Sequence, residues 1–257
     1  MTDHVQTALQ GGVLTIRFAR PDKKNAITDA MYRVVAEALE DAATSERVRV
    51  VLFEGEGDSF SAGNDIGDFV QIATSGRPAG EAAVFRVLKA LAHFDKPAVA
   101  AVKGSAVGIG TTLLLNCDLV YVAEDARLST PFVNLALAPE AASSLLLPAR
   151  IGHARAFAMF ALGERIDGVA AAAWGIANAA LPADQVEPAA RAAAAALAKR
   201  PPESLRLTKR LMRDGAALWA HMEKENAAFG GQLTSPEARE AFMAFAERRE
   251  PDFSKVP

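Results

Sequence analysis

Short apolar runs of strand length alternate with segments of helical periodicity along the first half of the chain. The apolar runs are Val48–Phe53, Pro97–Val102 and Leu119–Ala123. The helical segments are Ala30–Asp41 and Glu81–Phe94. Strands that alternate with helices favour a parallel sheet covered by helices. A Gly11-Gly12 hairpin, which joins Gln6–Gln10 to Val13–Phe18, predicts an antiparallel pair before them.

The second half of the chain has a different pattern. From Glu140 onward almost every segment predicts helix, and Gly or Pro residues separate the segments. The clearest segments are Gln185–Ala198, Pro202–Arg213, Ala216–Phe229 and Pro236–Arg249. No stretch rich in Gly, Ser or Pro divides the halves. We therefore predict an α/β core over residues 1–195 and a helical C-terminal region over residues 196–257.

Composition excludes several broad classes of protein. The 257 residues include 28 basic and 31 acidic side chains, a net charge of −3 that argues against a general nucleic-acid binder. Cys117 is the single cysteine, so no intramolecular disulfide can form and a cytoplasmic location is expected. The longest uncharged run, Gly168–Ala183, has 16 residues. It is shorter than the roughly 20 that a membrane span needs, and no membrane association is predicted.

The chemical inventory lacks the motifs of several common enzymes. The four histidines are scattered and have no cysteine partner, so no metal site is predicted. The Gly104–Thr112 segment has neither the Lys of a P-loop nor the third glycine of a dinucleotide fingerprint, because Leu113 occupies that position. Nucleotide hydrolysis and NAD chemistry therefore lose their main support.

Two glycine-containing loops remain, and each follows a predicted strand. They are Phe60–Ile66 and Lys103–Gly110. Glycine permits tight turns, and backbone N–H groups at the start of a helix can point outward at a ligand. One donor from each loop would form an oxyanion hole. Taken alone, both segments are equally well explained as ordinary glycine turns.

At these loops the sequence resembles the crotonase superfamily, also called the enoyl-CoA hydratase/isomerase family. The matching pieces cover nearly the whole chain: Arg20–Ala26, Phe60–Ile66, Ala101–Asp118, Pro131–Pro148 and Phe242–Arg249. The resemblance implies an α/β fold with a crotonase-like (ββα)n spiral core. It also implies that the thioester oxygen of an acyl-CoA accepts hydrogen bonds from the backbone N–H groups of Asn64 and Ile109.

The acid and base residues distinguish reactions within this family. Hydratases of the family use two glutamates, and the matching positions here are Thr112 and Phe132, so efficient hydration is not expected. The stretch that ends in Pro139-Glu140 resembles the Δ3,Δ2-enoyl-CoA isomerase branch, in which one glutamate is the base. Apolar neighbours near a helix start should raise the pKa of Glu140 by desolvation. Without the resemblance, a carboxylate stabilised by the helix dipole explains Glu140 equally well.

The predicted function is therefore Δ3,Δ2-enoyl-CoA isomerase, with Glu140 moving a proton between two carbons of the acyl chain. The first alternative is an enoyl-CoA hydratase or another crotonase-type enzyme, such as a ring-opening isomerase. The alternative from another class is a non-catalytic relative that binds acyl-CoA or RNA, and the low pI argues against RNA.

The resemblance also implies how the substrate binds. Lys24, Ala26, Ser61 and Ala62 are expected to contact the coenzyme A moiety, and no other cofactor is predicted. Phe245 and Arg248 are expected to contact it from the same or a neighbouring subunit, although Arg248 also fits a solvated mixed-charge run. Phe69 and Phe85 fit either the acyl pocket or the core. The resemblance also implies a homotrimer or a dimer of trimers, with subunit contacts made by the helical C-terminal region.

Overall fold

A computed structural model describes residues 2–68 and 82–256 of the chain. Their strands form one six-stranded and one three-stranded sheet. The larger sheet contains β1 (Val5–Gln10), β2 (Val13–Phe18), β3 (Val50–Gly55), β4 (Ala98–Val102), β6 (Leu119–Ala123) and β9 (Ala179–Leu181). The smaller sheet contains β5 (Ser105–Val107), β7 (Arg127–Ser129) and β8 (Ile166–Asp167).

The larger sheet has the strand order β1-β2-β3-β4-β6-β9. The hairpin pair β1 and β2 is antiparallel, and every later pair in this sheet is parallel. All residues of β3 and β4 are buried, which explains why these strands are almost continuously apolar in sequence. The predicted parallel sheet with an N-terminal hairpin is therefore confirmed.

Helices cover the sheet and then form the C-terminal region. They are α1 (Asp29–Thr44), α2 (Ala83–His93), α3 (Ile109–Thr112), α4 (Ser143–Ile151), α5 (His153–Phe157), α6 (Gly168–Trp174), α7 (Ala183–Ala198), α8 (Pro202–Met212), α9 (Gly215–Leu233) and α10 (Pro236–Glu247). Thr28 caps α1 by accepting a hydrogen bond from the Met31 N–H, and α7 packs on β3, β4 and β6. None of the described helices is long and apolar enough to cross a membrane.

Four short strands differ from the expectation. β8 and β9 lie in the half that was predicted to be almost wholly helical, and that prediction is wrong for these residues. β5 and β7 lie in segments without a strand signal. Strands of two or three residues have no measurable periodicity, and their conformation is stabilised by pairing with partners distant in sequence.

The two glycine loops meet where the two sheets adjoin. The N–H groups of Phe60 and Ser61 donate to Ser105 O at 3.1 and 3.0 Å, and Val107 N–H donates to Ser61 O at 3.0 Å. Gly104 permits this approach, since it has φ +58° and a Cβ there would lie 1.8 Å from Asp58 O. The pairing brings the segment before Asn64 beside the segment before Ile109.

We expect Gly104→Ala to destabilise the protein by about 3 kcal/mol or more, because the added Cβ would meet rigid backbone at a positive φ. Gly231→Ala is the matched control, since its Cβ would enter open space on α9. Its stability should be unchanged or up to about 1 kcal/mol higher. Urea unfolding of both variants measures the difference. A Gly104→Ala protein as stable as the wild type would contradict this account of the loop junction.

Candidate functional site

Asn64 and Ile109 both line one apolar cavity of about 70 Å³. Ile109 is the first residue of α3, a position where the N–H has no acceptor within its own helix. On the other loop, the Ile27 N–H donates a hydrogen bond to Gly63 O, and Ile27 O accepts one from the Asp65 N–H. Because these bonds use the two neighbours of Asn64, the Asn64 N–H itself points away from Ile27. The remaining lining residues include Val107, Pro131, Phe132, Leu135, Leu137, Phe229 and Phe242.

Gly63 holds the first loop against the second. Its φ is +89°, and a Cβ on it would lie 2.7 Å from Val107 O. A side chain at this position would separate the two loops and the two amides with them. The structure thus brings together the two candidate donors, Asn64 and Ile109.

Glu140 lies behind α3, the helix that begins with the Ile109 amide. Thr112 ends this helix, and its hydroxyl donates a 2.5 Å hydrogen bond to Glu140 Oε1. Glu140 is only 5% exposed. Its pKa is raised to about 8: burial is the main cause, the Thr112 hydrogen bond opposes it, and the charge of Glu225 adds a smaller increase. The predicted upward pKa shift by desolvation is confirmed.

The backbone after Glu140 differs from a simple helix start. Ala141 and Ala142 both have left-handed conformations, with φ of 61° and 57°, and α4 begins only at Ser143. Non-glycine residues rarely adopt this conformation, and a sequence of alanines gives no sign of it. The Glu140 carboxylate therefore points into the protein beside Thr112 rather than capping α4.

Tyr32 is a site residue that the sequence analysis missed. Its hydroxyl donates a 2.5 Å hydrogen bond to the side-chain oxygen of Asn64. Burial, followed by the charge of Glu140, raises the pKa of Tyr32 well above its usual value, so the hydroxyl remains a donor. The only available signal was its place on the buried face of α1, and that signal is equally typical of core packing.

A second cavity adjoins the first. Tyr32, Asn64, Phe85 and Phe229 are among its lining residues, and Asn64 and Phe229 line both cavities. The expectation that Phe85 lines a pocket agrees with this position. Phe69 lies outside the described residues. Phe229 was missed because helical periodicity does not say which distant element a residue contacts.

The two positions that carry glutamates in hydratases are occupied by uncharged residues here. Thr112 is fully buried, and its hydroxyl is committed to Glu140. Phe132 is buried against Phe160, with 6.1 Å between the ring centroids, and it lines the cavity. Neither residue supplies a second acidic group beside the two amides.

Four of the predicted coenzyme-contacting residues lie on one connected strip. The Ala62 N–H donates to Lys24 O at 2.9 Å, and the Ser61 hydroxyl donates to Asn25 O at the same distance. The Arg20 guanidinium donates to Ala26 O at 3.1 Å. Lys24 is exposed at the edge of this strip, whereas Ser61 is buried and supports the loop.

The other predicted pair, Phe245 and Arg248, is exposed at the end of α10. Phe242, one helical turn earlier, lines the cavity, so α10 does reach the site. Contact from a neighbouring subunit remains a prediction. Among residues 2–68 and 82–256, no group of three His, Cys, Asp or Glu side chains is arranged to hold a metal ion.

Residues 8–256 match the sequence profile of the Enoyl-CoA hydratase/isomerase family. The chain belongs to this family. It is similar to enoyl-CoA delta isomerase 2 of Rattus norvegicus, with 36% identity over 93% of the chain, and it spans 62% of that longer relative. It is also 30% identical to the 2,3-dehydroadipyl-CoA hydratase of Escherichia coli, over 95% of the chain and 96% of the relative.

Solved structures confirm the crotonase-like fold. A crystal structure of an enoyl-CoA hydratase/isomerase from Pseudoalteromonas atlantica T6c superposes with a TM-score of 0.91 and 36% identity, covering 98% of this chain and all of that one. The α/β core and helical C-terminal region expected from the sequence are those of this family member. Since relatives include both isomerases and hydratases, the reaction has to be argued from the site.

We expect Glu140→Gln to change the pH dependence of stability. A carboxyl with a pKa of about 8 when folded and 4.5 as an unperturbed group stabilises the fold below pH 4.5 and loses that contribution as pH rises toward 8. As pH rises across this window, the free energy of unfolding of the variant should therefore increase relative to that of the wild type by about 1.4 kcal/mol per pH unit. Urea unfolding at pH 5 and pH 9 measures it. Exposed Glu124→Gln is the control, and an equal pH response in both variants would contradict the buried state of Glu140.

Proposed function

We propose that this protein is a Δ3,Δ2-enoyl-CoA isomerase in which Glu140 is the single base. The observation that carries the proposal is a buried carboxyl of raised pKa that is hydrogen-bonded to the end of α3, a helix whose first residue, Ile109, lines the same apolar cavity as Asn64. A base that must take and return a proton works best with a pKa near the working pH. An apolar cavity with few convergent polar groups suits an acyl chain and its thioester.

In the proposed reaction the thioester oxygen of a 3-enoyl-CoA accepts hydrogen bonds from the Asn64 and Ile109 amides. Glu140 removes a proton from C2, and the electron pair of that C–H bond delocalises onto the thioester oxygen as a dienolate. The two amides stabilise this charge, and such donors contribute roughly 3–4 kcal/mol each to a transition state. The same carboxyl returns the proton to C4, which leaves the double bond between C2 and C3.

The coenzyme part of the substrate would lie along the strip of Lys24, Ala26, Ser61 and Ala62. With a net charge of −3 the protein has no general attraction for phosphates, so local basic groups such as Lys24 would contact them. The reaction requires no metal or redox cofactor. We further propose that the C-terminal helices assemble trimers or dimers of trimers, which would bring Phe245 and Arg248 of one subunit to the strip of the next.

Hydration of a 2-enoyl-CoA is the second candidate, because a hydratase is among the relatives. It is disfavoured because Thr112 and Phe132 replace the acidic pair that orients water. Parallel assays of water addition to 2-enoyl-CoA and of isomerisation of 3-enoyl-CoA distinguish the two reactions. Tight acyl-CoA binding without either reaction would instead indicate a non-catalytic binding protein.

We expect Glu140→Gln to lower isomerase kcat by about 10²–10⁴-fold, the usual contribution of a positioned acid or base. Its dissociation constant for a saturated acyl-CoA should change little, because the amides and the apolar cavity remain. Steady-state kinetics and calorimetry measure the two quantities. Near-normal turnover by this variant would refute Glu140 as the base.

We expect Tyr32→Phe to have a smaller effect on the same reaction. The variant removes the hydroxyl that holds the Asn64 side chain, at a cost of about 0.5–1.5 kcal/mol, so kcat should fall roughly two- to tenfold. Tyr121→Phe on β6 is the matched control and should keep wild-type kcat. Equal kinetics for the two variants would show that the Tyr32 hydroxyl does not support the oxyanion site.

A further inference from the structure

The turn that follows Glu140 is held by contacts from two other parts of the chain. Ala141 and Ala142 are fully buried in the left-handed conformation, which is unfavourable for alanine. Asn116 donates its side-chain N–H to Ala141 O at 3.0 Å. The Ala142 N–H donates to Glu225 Oε2 at 2.6 Å, and Glu225 lies on α9, 83 positions later. The direction of Glu140 therefore depends on α9.

The Glu225 carboxylate accepts its hydrogen bonds from residues of this turn and of the start of α4. Its Oε1 accepts hydrogen bonds from the Ser144 N–H at 2.9 Å and the Ser144 hydroxyl at 2.5 Å, in addition to the bond from Ala142. Because the Ser144 hydroxyl proton is used in this way, the His221 Nε2 at 2.8 Å must be the donor to Ser144 Oγ. One carboxylate thus satisfies two backbone N–H groups and a hydroxyl at the start of α4.

The negative charge of Glu225 is unusual for its position. The side chain is 6% exposed, and among the described residues no Lys or Arg forms an ion pair with it. A buried carboxylate normally has a cationic partner. His221 on its own helix lies 3.6 Å from Glu225, and the charge of Glu225 also acts on Glu140. Both carboxylate oxygens accept hydrogen bonds here, whereas a neutral amide side chain has only one acceptor oxygen.

We propose that Glu225 is a positioning residue for Glu140, whose carboxylate holds the left-handed turn after the base and places a second negative charge beside it. This inference rests on the proposed function of Glu140. Burial is the main cause of the raised pKa of Glu140, the Thr112 hydroxyl opposes it, and the charge of Glu225 raises it by a smaller amount. After burial, the charge of Glu140 is the second cause of the raised pKa of Tyr32, which lies on α1.

An NMR titration tests the proposal without substrate. The protein is labelled with ¹³C in its glutamate carboxyls, and the Glu140 signal is assigned by its loss in Glu140→Gln. The wild-type midpoint is expected near pH 8, and Glu225→Gln should move it to lower pH. Glu223→Gln removes the same charge from an exposed site two residues away and should leave the midpoint unchanged. A midpoint that is unmoved in Glu225→Gln, or moved equally in Glu223→Gln, overturns the proposal.

A second variant covers the case in which Glu225→Gln does not fold. Glycine adopts the left-handed backbone without the penalty of a Cβ, so Ala142→Gly should reduce the need for the Glu225 contact. The double variant Glu225→Gln/Ala142→Gly is then expected to fold and to keep the lowered midpoint. A double variant that folds with a wild-type midpoint also overturns the proposal.

Measurements of isomerase turnover distinguish a failure of this inference from a failure of the proposed function. If Glu140→Gln keeps its isomerase activity, Glu140 is not the base, yet the NMR midpoint still reports whether Glu225 acts on it. If Glu140 is the base, Glu225→Gln should show a loss in kcat larger than any change in KM, and the acid limb of its kcat profile should move to lower pH. A variant with an unmoved acid limb argues against the positioning role.

Discussion

The burial of one carboxyl group is the constraint on which the site depends. Glu140 is held in an apolar region with the Thr112 hydroxyl as its bonded partner, and this environment makes ionisation costly. The protein can bury such a group because the turn around it is fixed from α3, α9 and the Asn116 segment. A carboxyl that is expensive to ionise is a strong enough base for a carbon acid, so the destabilising feature and the proposed chemistry have the same origin.

The glycine loops fix the positions of Asn64 and Ile109, whose amides we propose as the donors to the thioester oxygen. An isolated bridge between Ser61 and Ala106 joins the segment before Asn64 to the segment before Ile109, and close backbone contacts at Gly63 and Gly104 leave no space for side chains. The two amides are therefore fixed by backbone geometry rather than by side-chain identity. The proposed donor at position 109 belongs to the main chain, so it does not depend on the isoleucine side chain.

Local pattern predicted the parts of the molecule that are determined locally. Continuous apolar runs identified β3, β4 and β6, and helical periodicity identified α1, α2 and the C-terminal helices, although their ends differ by a few residues. The short strands were missed because two or three residues carry no period. Glu140 and the two amides came from the family resemblance, whereas Tyr32 and Glu225 act through contacts between distant segments, which a single sequence does not reveal.

The central claim is that one carboxyl reaches two carbons of the substrate while the two amides hold its thioester oxygen. A crystal structure with a non-reactive acyl-CoA analogue tests this claim most directly. The account predicts the thioester oxygen within hydrogen-bonding distance of the Asn64 and Ile109 N–H groups, with a Glu140 oxygen about 3–3.5 Å from both C2 and C4. A thioester bound away from these amides, or a Glu140 carboxylate directed to solvent, would contradict it.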